Sequence, residues 1–297
     1  MLFAFTPYII NSTPYINLIP HFPHFPAMNV DRRRMLGPAS AATPIVPAVS
    51  SAAQTGTSDG SHIKFFLKSG LSKNASGLAF LETGDTIVEV SVYGPRPIKG
   101  LYIERASLSV ECRFLPYITQ PNEVLYNGSS RSNGRAGLTG IEHRVSAFVE
   151  TALLATIPLE KYPKLTIDVF VNVLSFNANT RSLLNLAAWT ATCTSLAMVD
   201  AGIEMRDLIT AGHVQLSGTT ALLDPTVGDA DDGGSLECVA CFTTMHNNDV
   251  VAVWMDGSSD DAGLEALTLQ LEACKNMSNL VRSNVNGYLL GLADSKE

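Results

Sequence analysis

The stretch Lys164–Asp207, KLTIDVFVNVLSFNANTRSLLNLAAWTATCTSLAMVDAGIEMRD, decides the fold of this 297-residue chain. LTIDVFVNVL alternates apolar with polar or small residues and then runs into a continuous apolar end, the pattern of a strand leaving a sheet core. FNANT turns the chain, with Asn177, Asn179 and Thr180 as candidate caps for the helix that follows. That helix is predicted from Arg181 to Ala201 and is apolar or small on nearly every face. A helix apolar all round must be buried inside its domain. Gly202 stops it at the C′ position.

Working outward, Gly77–Glu82 and Thr86–Tyr93 read as a hairpin turned at Thr83-Gly84-Asp85, with Ile63–Leu67 as an edge strand beside it. Leu101–Phe114 adds a strand that alternates Leu108, Val110 and Cys112 with polar residues. Pro121–Gly140 is polar and Gly-rich, a loop. Ile141–Ile157 has helical spacing, with Ile141, Val145, Phe148, Ala152 and Leu153 on one face. Pro158 and Pro163 end it. Downstream, His213–Leu216, Thr220–Leu223, Glu237–Met245 and Val250–Met255 are predicted strands. Ser258, Ser259 and Asp260 are candidate caps for a final helix from Ala262 to Leu292. Its buried face is Leu264, Leu267, Leu271, Cys274, Met277, Leu280, Val281 and Leu289. Two β-rich blocks, each followed by helix, predict one α+β domain over residues 62–297 with mixed sheets and packed helices.

The first 61 residues lack this periodicity, and Ala39–Ser61 reads as a disordered tether. The apolar N-terminal segment carries no positive n-region and is broken by prolines, which suits neither a signal peptide nor a membrane span. Met28 opens a more natural start, so residues 1–27 are expected to be an upstream extension. A net charge of −8 excludes nucleic-acid binding by bulk electrostatics, so any such contact requires local basic patches or a partner. Five cysteines, an odd number spread over strands and a helix, fit a reducing compartment better than a disulfide framework. Asn-x-Ser/Thr triplets begin at Asn11, Asn74, Asn127 and Asn276 and are read as unmodified.

The central stretch resembles the RNase PH family. There the turn reads Val-Leu-x-Ala-Asp-Gly-Gly-Thr-Arg and the helix ends in Asp-Ala-Gly-Ile. The matching residues are Val173, Leu174, Ser175, Phe176, Asn177, Ala178, Asn179, Thr180 and Arg181, then Asp200, Ala201, Gly202 and Ile203. Gly84, Thr86, Gly94, Pro95 and Arg96 match a second motif of the family, a Gly-Asn/Asp-Thr turn followed by Val-x-Gly-Pro-Arg. The resemblance spans about Ser69 to Leu290 and implies an RNase PH-like α+β domain.

Enzymes of that family attack the terminal RNA linkage with phosphate, which takes arginines to bind the anion and carboxylates working with a divalent metal. Here Asp-Gly-Gly has become Asn177-Ala178-Asn179, removing the glycines that let a backbone approach a ligand closely. The family's Gly-Arg-Ser-Leu-Arg-Ala segment corresponds to Glu150, Thr151, Ala152, Leu153, Leu154 and Ala155. A phosphate facing Glu150 would be repelled rather than clamped. In LLDPTVGDADDGGSLECVACF, ungapped alignment sets the catalytic acids on Ala230 and Leu236, while a one-residue slide sets them on Asp231 and Glu237. The resemblance therefore implies a non-catalytic, structural and RNA-guiding subunit without a cofactor, of the kind found in the exosome ring. The alternative is an active phosphorolytic exoribonuclease using Asp231 and Glu237 with magnesium and phosphate. Implied partners are other RNase PH-like exosome subunits, paired as heterodimers in a hetero-hexameric ring, cap subunits and RNA, with no membrane. The implied locations are nucleus, nucleolus and cytoplasm.

Arg96, Lys99, Arg131 and Arg135 are the candidate RNA contacts, and Arg32, Arg33 and Arg34 a candidate partner-binding arm. Cys238-Val-Ala-Cys241 lacks the second pair zinc needs, and residues three apart on a strand face opposite ways, so these are core cysteines. Asp229, Asp231, Asp232 and Glu237 lack the alternation of a calcium loop, Gly233 standing where a ligand belongs. Glu142-His143 is expected to be an exposed pair.

Overall fold

The computed structural model describes residues 63–98, 100, 103–118, 120, 138–217, 220–226, 236–244, 249–257 and 264–294. The expected N-terminal extension, the caps Ser258, Ser259 and Asp260, and most of the acidic loop lie outside the described residues.

The strand Leu165–Ser175 (β5) buries Ile167, Val169, Val171 and Val173 in strict alternation. It lies inside a five-stranded sheet of order β1-β2-β3-β5-β4, where β1 is Phe66–Ser69, β2 Gly77–Thr83, β3 Thr86–Pro97 and β4 Ser107–Phe114. β1 begins three residues later than the periodicity placed it. Gly84 (φ +54°) takes the left-handed conformation that the tight β2–β3 turn requires, with Thr83 paired to Thr86. β4 runs parallel to β5, and the crossover between them is the helix Gly140–Thr156 (α1). Thr139 caps α1, accepting the Glu142 N–H while the Glu142 carboxylate accepts the Thr139 N–H. Glu142 is not exposed as expected. It is buried because its other oxygen accepts the Phe114 N–H at 2.8 Å, tying the helix start to the β4 end.

The helix Leu183–Asp200 (α2) is buried from Leu183 through Met198. It lies between the first sheet and a second, antiparallel sheet of order β7-β6-β8-β9, and packs on both. These strands are β6 Thr210–Ser217, β7 Thr220–Leu223, β8 Leu236–Thr243 and β9 Asp249–Gly257. The cap of α2 is Ser182, later than any candidate in the turn, and its Oγ accepts the Asn185 N–H. The turn residues instead bond among themselves. At the far end Gly202 (φ +69°) closes the helix as expected, its N–H reaching Val199 O and that of Ile203 reaching Met198 O.

The helix Leu264–Asp294 (α3) covers the other side of the second sheet. A Cβ on Gly212 would lie 2.0 Å from the Cys274 carbonyl oxygen, so helix and strand touch backbone to backbone there. Cys274, Met277, Val281 and Val285 are buried, whereas Leu280, expected on that face, is exposed. The Arg282 guanidinium bonds both carboxylate oxygens of Asp207, at 3.0 and 3.2 Å, and the Phe242 carbonyl, fastening α3 to the α2–β6 connection and β8. All five cysteines are free and buried, Cys238 and Cys241 included. Among the described residues no helix is long and apolar enough to cross a membrane. The architecture is the expected α+β domain.

Candidate functional site

β5 delivers the chain to the turn at Asn177–Thr180, beside the Gly84-Asp85 hairpin turn. Asn177 Oδ1 accepts the Asn179 N–H at 3.1 Å, and the Asn177 carbonyl accepts the N–H groups of Thr180 and Arg181. An asparagine that bonds two residues on mimics a backbone turn. No residue of this turn has a positive φ, so it closes without glycine. The Thr180 hydroxyl donates to Asp85 Oδ2 at 3.3 Å, and that of Ser175 to Asp85 O at 2.9 Å, holding the two turns together.

Behind the turn lies a buried polar chain. Arg181 Nη1 meets Asp224 Oδ2 at 3.0 Å and donates to the Asp224 carbonyl at 3.0 Å. Asp224 ends β7 in the left-handed region (φ +50°) and also accepts from Asn185 Nδ2 and Trp189 Nε1. Asn185 Nδ2 lies 3.5 Å from His213 Nδ1, so the amide occupies that side of the imidazole. His213 Nε2 then faces Ser182 Oγ at 3.3 Å and Glu237 Oε2 at 3.8 Å. Burial opposes charge on Glu237, but the His213 ring and the Ser182 hydroxyl outweigh it and hold the carboxyl below the usual glutamate range.

Serine, histidine and glutamate in one cluster invite a hydrolase reading. A triad, however, sets its acid on the imidazole nitrogen opposite the serine. Here both converge on Nε2, while Nδ1 belongs to Asn185, so no relay can form. The cluster fixes the start of α2 against the second sheet.

Of the candidate RNA contacts, Arg96 is described. It is exposed, lies 5.9 Å from the Tyr93 ring centroid and pairs with Asp168. Lys99, Arg131 and Arg135 lie outside the described residues, as do Arg32, Arg33, Arg34 and Asp231. On α1, Thr151 turns its hydroxyl back to the Ala147 carbonyl, and Leu154 is an exposed hydrophobe. Among the described residues no cluster of three or more His, Cys, Asp or Glu side chains is arranged to hold a metal ion. The Arg181–Asp224 pair and His213 escaped sequence reasoning. Thr180-Arg181 and Leu222-Leu223-Asp224 were both visible as motifs, but nothing in their spacing joins them.

Residues 64–204 match the 3′ exoribonuclease family, domain 1, the RNase PH domain. The chain is 30% identical over 219 residues to an exosome complex component RRP41-like of Arabidopsis thaliana, covering 73% of this chain and 77% of the relative. Among solved structures, rice (Oryza sativa) Rrp46 superposes with a TM-score of 0.54 at 21% identity, covering 76% of this chain and 96% of that one. An Archaeoglobus fulgidus exosome with RNA bound to the active site superposes with a TM-score of 0.55 at 17% identity, covering 75% and 88%. At these identities the structural likeness establishes the fold. The chain belongs to the RNase PH family of 3′ exoribonucleases and their relatives.

Proposed function

We propose that the chain is a non-catalytic subunit of an exosome ring of RNase PH-like chains, supporting 3′–5′ RNA processing by positioning RNA and neighbouring subunits. The observation that carries this reading is the turn at Asn177–Thr180, which closes on its own side chain. Arg181 beside it is committed to the buried Asp224. With Thr151 and Leu154 on α1, the segment where the family carries arginines offers no guanidinium for phosphate. Arg96 at the end of β3 is exposed, and guiding an RNA backbone would draw it from its pair with Asp168. Within the family, we read the chain as resembling the mRNA transport regulator subunit. The reading rests on Met28–Pro38, Tyr93-Gly-Pro-Arg96, Tyr162-Pro-Lys164, Asp200-Ala-Gly-Ile-Glu-Met205 and Leu222-Leu-Asp-Pro-Thr226.

The test supplies purified chain with inorganic phosphate, magnesium and a 3′-tailed RNA. The expected result is no release of nucleoside diphosphates. Phosphate-dependent shortening that disappears in Asp231→Ala and Glu237→Ala would establish the phosphorolytic alternative instead.

A further inference from the structure

Among the described tyrosines, Tyr93, Tyr162 and Tyr288 are half-buried. Tyr162 and Tyr288 use the hydroxyl to tie elements together, accepting the Glu204 and Ser69 N–H groups. Tyr117, just beyond the end of β4, is placed differently. It is 73% exposed, more than any other large hydrophobic side chain described. Its hydroxyl nonetheless donates to the Leu174 carbonyl at 2.8 Å. That bond buries nothing; it holds the ring in one orientation over the end of β5. The backbone around it is held as well, with the Leu115 N–H on the Val173 carbonyl and the Ile118 N–H on the Leu115 carbonyl. Beneath, the buried Phe114 and Phe176 meet edge to face at 6.1 Å. A flat ring fixed in this way has little conformational entropy left to lose on binding.

A few residues past Leu174 comes the Asn177–Thr180 turn. Asn177 and Asn179 are exposed, and neither Asn177 Nδ2 nor the Asn179 side-chain amide has a hydrogen-bond partner among the described residues. Amides offer both donors and acceptors. Ring and amides together match the two parts of an unpaired nucleobase, its π face and its polar edge. An apolar protein surface would cover the ring but leave the amides unsatisfied. A phosphate is poorly served here. Arg113 and Arg181 pair with Glu111 and Asp224, and the Asp85 carboxylate stands at Thr180. The weight of any contact falls on the base, and stacking does not draw on the net charge of the chain.

We propose that Tyr117 is a stacking platform for one unpaired base of a single-stranded RNA, with the Asn177 and Asn179 amides placed to meet the edge of that base. The inference rests on the RNA-guiding role proposed above and names a residue that performs it without a phosphate clamp.

The experiment irradiates the full chain with a single-stranded RNA carrying iodouridine, which crosslinks to a stacked aromatic ring, and maps the adduct by mass spectrometry. Fluorescence anisotropy of the same strand gives its affinity. Phosphate and magnesium are left out, so the RNA stays intact even for a phosphorolytic chain, and failure of the non-catalytic reading would leave the crosslink in place. Expected are an adduct at Tyr117 and a loss of affinity of about fivefold or more in Tyr117→Ala and in Tyr117→Leu, with a smaller loss in Tyr117→Phe. A blunt duplex, whose bases are stacked inside, should bind about fivefold or more weakly than the strand. The exposed position leaves the core intact, which circular dichroism of each variant checks. No binding of the strand, adducts only at other residues, parent affinity in Tyr117→Leu, or equal affinity for the duplex overturns the proposal. So does a loss in Tyr117→Phe as large as in Tyr117→Ala, which would put the contact on the hydroxyl. Self-association that Tyr117→Ala dissolves overturns it too, since that assigns the ring to a protein surface.

Discussion

Arg181 and Asp224, 43 residues apart in the chain, meet as an ion pair at 3.0 Å with their side chains only 7% and 10% exposed. Removing one partner of a buried pair leaves an uncompensated charge, at a cost of about 3–5 kcal/mol. Arg181→Ala should therefore lower stability by about that amount in urea unfolding. Asp224→Asn, which keeps a side chain tolerant of positive φ, isolates the charge from the backbone strain that Asp224→Ala would add. A loss below ~1 kcal/mol for Arg181→Ala would show the pair to be a surface-like contact.

Two glycine substitutions should act in opposite directions. In Gly212→Ala the new methyl would lie 2.0 Å from the Cys274 carbonyl oxygen, so α3 must move off the sheet. The loss should reach at least the ~1–3 kcal/mol typical of overpacking. Gly287 lies in α3 with nothing within 4 Å of a Cβ, and Gly287→Ala should stabilise by about 0.5–1 kcal/mol. Thermal melts of both variants decide whether the close contact is real.

Acid should weaken the clamp on α3. Burial raises the Asp207 carboxyl, but the Arg282 guanidinium and the N–H groups of Thr244 and Leu208 outweigh it and hold the group below the ordinary aspartate range. Glu237 is lowered for the reasons given above. The unfolded chain takes up protons on these groups before the folded chain does. Their contribution to stability is thus complete above the ordinary carboxylate range near pH ~4 and is lost as pH falls through the depressed values. Melting temperature followed from neutral to acid pH should fall less steeply in Asp207→Asn than in the parent, after allowing for its lower starting value. A parallel pair of curves would contradict the assignment.

The fold was legible because its deciding elements advertise themselves. A strand with alternating residues and a helix apolar on every side admit few arrangements, and the helix is indeed enclosed between two sheets. Boundaries were less legible. Ser182 caps α2 because the Asn177 side chain is spent on its own turn, a competition that residue type alone does not reveal. Glu142 was misjudged because a charged residue in a helix's first turn is normally solvated. It is buried here only because the β4 end offers an N–H 28 positions earlier in the chain. The candidate site was half visible, since its motifs could be seen separately but their meeting depends on β6 and β7 folding back over α2.

The central claim, membership of a ring built from different RNase PH-like chains, is tested most directly by native mass spectrometry. The chain is tagged and purified from its own cells under mild conditions. The account predicts a stoichiometric assembly holding one copy of this chain with several distinct RNase PH-like partners. A homo-hexamer of this chain, or a monomer free of such partners, would contradict it.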